Sequence, residues 1–270
     1  MTPHVRRQSF DFRAAGHRLH AERLLPPHAG AGPTLVFLHE GLGSIGQWRD
    51  FPAQLCAATG LPGLVYERWG FGRSDPLTGH RPADYLHREA RDSLPEVLAA
   101  CEIAEPPILF GHSDGGSIAL LFAAAFPDRV RAVVCEAGHV FVEEVCLAGI
   151  RAAGQAYERG DLREALRRYH GAQTDLLFRG WHDTWLRADF RAWNIEPELP
   201  RIVCPTLIVQ GADDEYATRA QVCAIAAGAS GPNEILWLAD CAHAPHHQAR
   251  EAVLAESARF IGQVCAIMPA

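Results

Sequence analysis

The chain has 270 residues, 48% of them hydrophobic and 21% charged, enough for one large α/β domain carrying an insertion. Its formal net charge of −7 argues against a nucleic-acid-binding surface, and no stretch is long and apolar enough to span a bilayer. The opening residues lack the apolar core of a signal peptide and the eight cysteines include no C-x-x-C pair, so the expectation is a cytoplasmic protein whose thiols are small buried hydrophobes.

Short apolar runs then alternate with helical patterns, which predicts a mostly parallel sheet covered by helices. "VRRQSFDFR" and "HRLHAERLL" alternate in polarity and read as an opening antiparallel pair. "TLVFLHE" (34–40) is a buried strand ending in the glycine-rich "EGLGSIG", followed by an amphipathic helix over 47–59 that Pro52 interrupts. "GLVYERWGFGRSD" (63–75) is a strand running into a glycine-punctuated loop, and 83–103 has helical periodicity with a kink at Pro95. The strand "PILFGHS", the helix "GGSIALLFAAAFP" and the strand "RAVVCEAG" (131–138) come next. Residues 139–200 carry helical runs and no convincing strand. Strands resume at 205–216 and 234–247, and a last helix follows. The pattern predicts an all-helical insertion between two strands of one sheet. No metal site is expected despite the 14 histidines, because no Cys/His pairs sit at ligand spacing. The adjacent His246 and His247 read as an exposed helix start.

The chemistry concentrates at Gly111-His112-Ser113-Asp114-Gly115, a G-x-S-x-G run at a strand-to-helix junction. Small residues on both sides permit a sharp, strained turn that lifts the serine hydroxyl above the sheet, and the following helix points its N–H groups at the same spot. A neutral serine is a poor nucleophile and needs a base and an orienting acid. "PTLIVQGADDEYAT" supplies the acid: Asp214 is preferred, Asp213 is the runner-up, Glu215 stands beside them, and Glu136 at the end of the preceding strand is a less favoured substitute. "LADCAHAPHH" supplies the base: His243 sits in the loop proper, ahead of His246 and His247, whose helix Pro245 opens. His112 is read as shaping the turn. The oxyanion donors are expected to be the N–H of Asp114 and that of Gly41 in "HEGLGS", with Leu42 the alternative to Gly41.

The serine turn, "HEGLGS", "GFGRSD", "LIVQGADDEY" and "DCAHAPH" together resemble the α/β-hydrolase superfamily, in its order and over nearly the whole chain. The resemblance implies an eight-stranded, mainly parallel sheet whose first strands are antiparallel. It assigns residues 1–138 and 201–270 to the core and 139–200 to a helical cap inserted after the sixth strand. It implies no cofactor and a small-molecule substrate. Ser113, Asp214 and His243 would then hydrolyse a small carboxylic ester through an acyl-serine. Carbon–carbon hydrolysis of ring-fission diketones, proline-type aminopeptidase activity and, outside enzymes, ligand sensing are the alternatives that the resemblance also holds open. The serine argues against the branches that use an aspartate nucleophile. Many relatives carry glycine where this chain has Glu40, which either shapes the oxyanion loop or touches substrate. Glu67 is expected to anchor its loop by pairing with Arg68 or Arg73. Trp181 and Trp185, four residues apart on one helical face, pack the cap onto the core or line an apolar pocket, and Arg179, His182 and Arg187 are offered as polar handles. Glu143 and Glu144 join Glu40 as carboxylates that an aminopeptidase would need.

Overall fold

Five runs rich in Leu, Val, Ile and Phe, with no polar face, can only be strands covered on both sides. The computed structural model, which describes residues 5–27 and 32–267, places them at the centre of one eight-stranded sheet. Residues 1–4, 28–31 and 268–270, which belong to the predicted core segments, lie outside the described residues. The strands are β1 (Arg6–Ala14), β2 (His17–Leu25), β3 (Leu35–Leu38), β4 (Gly63–Glu67), β5 (Ile108–His112), β6 (Ala132–Glu136), β7 (Thr206–Gly211) and β8 (Asn233–Leu238). They lie in the order β1-β2-β4-β3-β5-β6-β7-β8. β1 pairs antiparallel with β2 and β2 antiparallel with β4, while every other pair is parallel. Every residue of β3 to β7 is buried, whereas in β1 and β8, at the edges, every residue but Ala14 is exposed or half-buried.

Helices cover both faces: α1 (Phe51–Thr59), α2 (Tyr85–Arg88), α3 (Leu94–Ala100), α4 (Asp114–Ala125), α5 (Glu144–Arg159), α6 (Leu162–His170), α7 (Thr174–Leu186), α8 (Arg219–Gly228), α9 (Pro245–Gln248) and α10 (Arg250–Ile267). Side chains of one strand alternate between the two cores. Leu35 and Phe37 join Phe51, Phe110 and Phe260 under α1 and α10, while Val36 and Leu38 join Leu109, Ile118 and Phe122 under α2 to α4.

Two prolines act differently from the expectation. Pro52 starts α1 rather than interrupting it, since a first-turn residue needs no N–H partner. Pro95 lies in the first turn of α3, and its ring crowds the backbone a turn earlier; the chain widens there into a π-turn at Glu89–Ser93, so the expected kink is a change of helix type.

Between β6 and β7 the chain runs through α5, α6 and α7. A single antiparallel bridge, Phe141 with Asn194, and the Ile195 N–H donated to the Val140 carbonyl (2.7 Å) join the points where this excursion leaves and returns. Six of the eight cysteines are buried as expected; Cys223 is exposed and Cys265 half-buried.

Candidate active site

β5 ends in a turn that ordinary backbone geometry does not favour. Ser113 has φ +53° and ψ −117°, a conformation that strains a residue with a Cβ. The turn persists because its glycines let three segments meet: a Cβ on Gly115 would stand 1.9 Å from the Leu38 carbonyl oxygen, and one on Gly111 would stand 2.1 Å from that of Gly115. The result places Ser113 at the start of the 12-residue α4, whose first N–H groups have no carbonyl one turn back.

The serine hydroxyl lies 2.9 Å from His243 Nε2, and His243 Nδ1 lies 2.9 Å from both carboxylate oxygens of Asp214. The carboxylate requires a proton on Nδ1, so the Nε2 lone pair faces the serine, which donates its O–H. Asp214 also accepts from Gln210 Nε2 (2.6 Å) and the Tyr216 N–H (2.7 Å), and both fix its rotation. Burial opposes ionisation of Asp214, but His243 and the Tyr216 N–H outweigh it and hold the carboxyl below the usual range. Burial likewise opposes charge on His243, yet the Asp214 carboxylate and its hydrogen bond raise the imidazole above its ordinary 6.5.

Of the two adjacent aspartates, Asp213 is exposed and Asp214 buried, so only Asp214 meets the histidine. Glu215 accepts the His243 backbone N–H (3.3 Å). Glu136 points elsewhere: it takes the His246 backbone N–H (2.5 Å) and Nδ1–H (2.9 Å). His246 is therefore buried, and His247 half-buried with Nε2 donating to the Gln47 carbonyl (2.9 Å), which corrects the reading of these two as an exposed helix start. The correction has a physical cause, because α9 packs over the end of β6 and the β6 carboxylate needs a partner there. His112 donates Nε2–H to the His243 carbonyl (2.7 Å), supporting the histidine loop from below.

Gly41 and Asp114 face the serine across a small cavity of about 50 Å³, walled by Glu40, Leu42, His139, Cys146, Ile150, Trp181, Trp185, Tyr216 and His243. Its volume is that of one or two waters. Trp181 lies against the loop that carries Gly41, so close that a Cβ on Gly41 would collide with its ring. Trp185 donates Nε1–H to the Tyr85 hydroxyl (2.9 Å), which donates in turn to Asp114 Oδ2 (2.7 Å). This relay ties α7 to the first residue of α4. Glu40 lies in the wall with Gln47 Nε2 at 3.5 Å, and burial pushes its carboxyl up. Its backbone is held more firmly. Arg68, fully buried, donates Nη2–H to the Glu40 carbonyl (2.7 Å) and the His39 carbonyl (3.1 Å).

Several expected partners fall outside this cavity. Arg179 pairs with Glu158, Arg187 with Asp189, and His182 stacks on Phe178. Glu143 binds Thr218 and Gln221, and Glu144 meets Arg191. Glu67 anchors its loop through the Arg73 backbone N–H (2.6 Å) and the Ile45 N–H (3.3 Å), not through a guanidinium. Tyr85 and His139 were not anticipated, and Arg68, expected as a partner of Glu67, instead holds the His39 and Glu40 carbonyls. His139 donates Nε2–H to the Tyr216 carbonyl (3.1 Å), leaving Nδ1 a buried lone pair without a partner. Among the described residues no group of three or more His, Cys, Asp or Glu side chains could hold a metal ion. No helix of the described residues is long and apolar enough to cross a membrane.

A mostly parallel sheet of this strand order, with a serine turn after its fifth strand and a carboxylate and histidine after its seventh and eighth, is an α/β-hydrolase fold. Residues 35–256 match the model of the alpha/beta hydrolase family, and the chain belongs to that family. It is 27% identical over 220 residues to the human serine hydrolase BPHL, a match covering 77% of this chain and 68% of that protein. It is 22% identical over 214 residues to the 2-hydroxy-6-oxo-6-phenylhexa-2,4-dienoate hydrolase of Comamonas testosteroni, covering 70% of this chain and 73% of that protein. The proline iminopeptidase of Mycobacterium smegmatis superposes with a TM-score of 0.72 at 19% identity, over 95% of this chain and 98% of that one.

Proposed function

We propose that the protein is a serine hydrolase that cleaves a small carboxylic ester through an acyl-serine intermediate. The observation that carries this reading is the continuous row from Ser113 Oγ through His243 to Asp214, every link at 2.9 Å, on a turn strained to present the hydroxyl. His243 takes the serine proton as Oγ attacks the carbonyl carbon, and Asp214 stabilises the imidazolium that forms. The N–H groups of Gly41 and Asp114 receive the oxyanion, aided by the positive end of α4. His243 then protonates the departing alcohol and activates the water that releases the acid. The names of the relatives support a hydrolase.

In the same reading the helices between β6 and β7 act as a cap. The cavity of about 50 Å³ is smaller than an acyl group, so α5 and α7, which carry Cys146, Ile150, Trp181 and Trp185, must move for substrate to enter. These side chains with Leu42 and Tyr216 suit an apolar acyl group, and Glu40 lies where a leaving group passes. Carbon–carbon hydrolysis is the second reading, favoured by the likeness to the Comamonas enzyme.

The test is release of p-nitrophenol from short p-nitrophenyl esters by the wild type and by Ser113→Ala, with fluorophosphonate labelling alongside. Multiple turnover and labelling that both vanish in Ser113→Ala are expected. Labelling at Ser113 without ester turnover would favour the carbon–carbon reading, and absence of both would overturn serine catalysis.

A further inference from the structure

The peptide that joins Glu40 to Gly41 carries one of the two N–H groups offered to the oxyanion, and its carbonyl is held by several donors at once. Arg68 Nη2–H reaches the Glu40 carbonyl oxygen at 2.7 Å, His39 Nδ1–H at 2.7 Å and the Gly43 N–H at 3.2 Å. Arg68 also fixes the tautomer of His39, because its backbone N–H donates to His39 Nε2 (3.2 Å) and leaves the proton on Nδ1. Among the described residues, the Gly41 N–H at the other end of this peptide donates to no backbone carbonyl.

The C=O and N–H of a trans peptide point in opposite directions within one plane. A carbonyl drawn toward Arg68 and His39 therefore turns the Gly41 N–H away from them, and Gly41 lines the serine cavity together with Ser113 and Asp114. Donors on a carbonyl also polarise the whole peptide, a cationic donor most of all, so the N–H at its far end donates more strongly.

Burying a guanidinium is costly, and an apolar side chain would fill the same space without that cost. Arg68 is nonetheless only 1% exposed, its guanidinium carbon 4.8 Å from the centre of the Phe71 ring. Among the described residues its ion-pair contact is Asp114 Oδ2, at 4.0 Å, and that oxygen already accepts from Tyr85. Its charge is thus directed at the carbonyls of His39 and Glu40, between the loop that carries Gly41 and the side chain of Asp114, whose N–H is the second oxyanion donor.

Resting on the serine-hydrolase reading, we infer that Arg68 is a positioning residue of the oxyanion hole: it aims the Gly41 N–H into the cavity, strengthens that donor through the shared peptide, and places positive charge behind both donors.

The test follows wild type, Arg68→Met and Arg68→Lys with a short p-nitrophenyl ester, a trifluoromethyl ketone of the same acyl chain, and the corresponding methyl ketone. The serine oxygen adds to the trifluoromethyl ketone carbon, its proton passes to His243, and the carbonyl π electrons settle on oxygen, so this inhibitor reports the oxyanion. The methyl ketone resists addition and reports ground-state binding. Arg68→Met is expected to lower kcat by roughly tenfold to several hundredfold with KM within about threefold, and to raise Ki for the trifluoromethyl ketone by a similar factor while Ki for the methyl ketone stays within about threefold. Arg68→Lys keeps the charge without the planar fork and should fall between Met and wild type in both kcat and Ki. Ki refers to the active molecules alone, so a partly folded variant does not distort it, and if Arg68→Met does not fold, Arg68→Lys against wild type tests the same split. A kcat within twofold of wild type would overturn the inference. So would equal weakening of both ketones, which marks a role in packing only, or a fall in kcat with Ki for the trifluoromethyl ketone unmoved. A wild type that neither turns over an ester nor is labelled at Ser113 would instead overturn the reading on which the inference rests.

Discussion

Two buried carboxylate–imidazole pairs lie side by side, each with a 2.9 Å bond from histidine Nδ1, and the His112 ring stands between them at 5.2 Å from His243 and 4.9 Å from His246. They behave in opposite ways. Asp214 receives further bonds from Gln210 and Tyr216, keeps its charge, and raises His243. Among the described residues, Glu136 is supplied by His246 alone; burial pushes its carboxyl up and its histidine down to about 3, with Arg250 and His243 opposing any charge on His246. Proximity of an acid to a histidine thus does not make a base. The acid must be held ionised by other donors, and the far nitrogen must meet a nucleophile, as only His243 Nε2 does.

Substitutions sharpen this contrast. Ser113→Ala and His243→Ala are each expected to lower kcat by roughly 10³ to 10⁶, read in steady-state ester hydrolysis with the circular dichroism spectrum unchanged. Asp214→Asn should cost on the order of 10⁴ in kcat, because an amide cannot select the Nδ1–H tautomer, whereas Asp213→Asn should stay within about twofold. The reverse ranking would reassign the acid.

The pH profile follows from the sign of the His243 shift. The base works only when unprotonated, and its pKa is raised above 6.5, so the acid limb of kcat/KM should have its midpoint above pH 6.5 and fall about tenfold per unit below it. A midpoint below pH 6 would mean that Asp214 does not stabilise the imidazolium. Tyr85→Phe leaves Trp185 Nε1 and Asp114 Oδ2 without their shared hydroxyl. It should lower kcat by about threefold to tenfold with little change in KM, since the N–H of Asp114 serves the oxyanion more than the bound ester. His246→Phe should leave kcat within about threefold while costing about 1–3 kcal/mol of stability in urea titration, because the buried Glu136 keeps the backbone N–H of residue 246 but loses the imidazole donor. A large loss of kcat there would erase the contrast between the pairs.

What the chain reveals by itself divides along the same line. The serine turn, Asp214 and His243 are legible because each occupies a strand–loop junction with a local glycine or turn signature. Burial then separates Asp214 from Asp213, which spacing alone did not. Tyr85 was invisible: it stands 29 residues before Asp114 and 100 before Trp185, and only the packing of α2, α4 and α7 brings the three together. His246 was misread for a related reason. A proline and two polar residues look like a helix start in solvent, and nothing nearby in the chain announces that a strand 110 residues earlier ends in a carboxylate beneath it. The mostly parallel sheet was readable from the apolar runs and its eight strands from the family resemblance, while the π-turn before α3 was not, because Pro95 signals a disturbance and not the form it takes.

The bridge between Phe141 and Asn194 has a consequence for how such a protein diversifies. The chain departs from the sheet and comes back at neighbouring points, so its covalent attachment is one narrow neck, while side-chain bonds such as Trp185 to Tyr85 and His170 to the Leu42 carbonyl hold the intervening helices in place. Residues there can be lengthened, shortened or exchanged without altering the register of β6 against β7. On the proposed reading, the parts that set reactivity and the parts that select what reaches it would thereby be free to change at different rates.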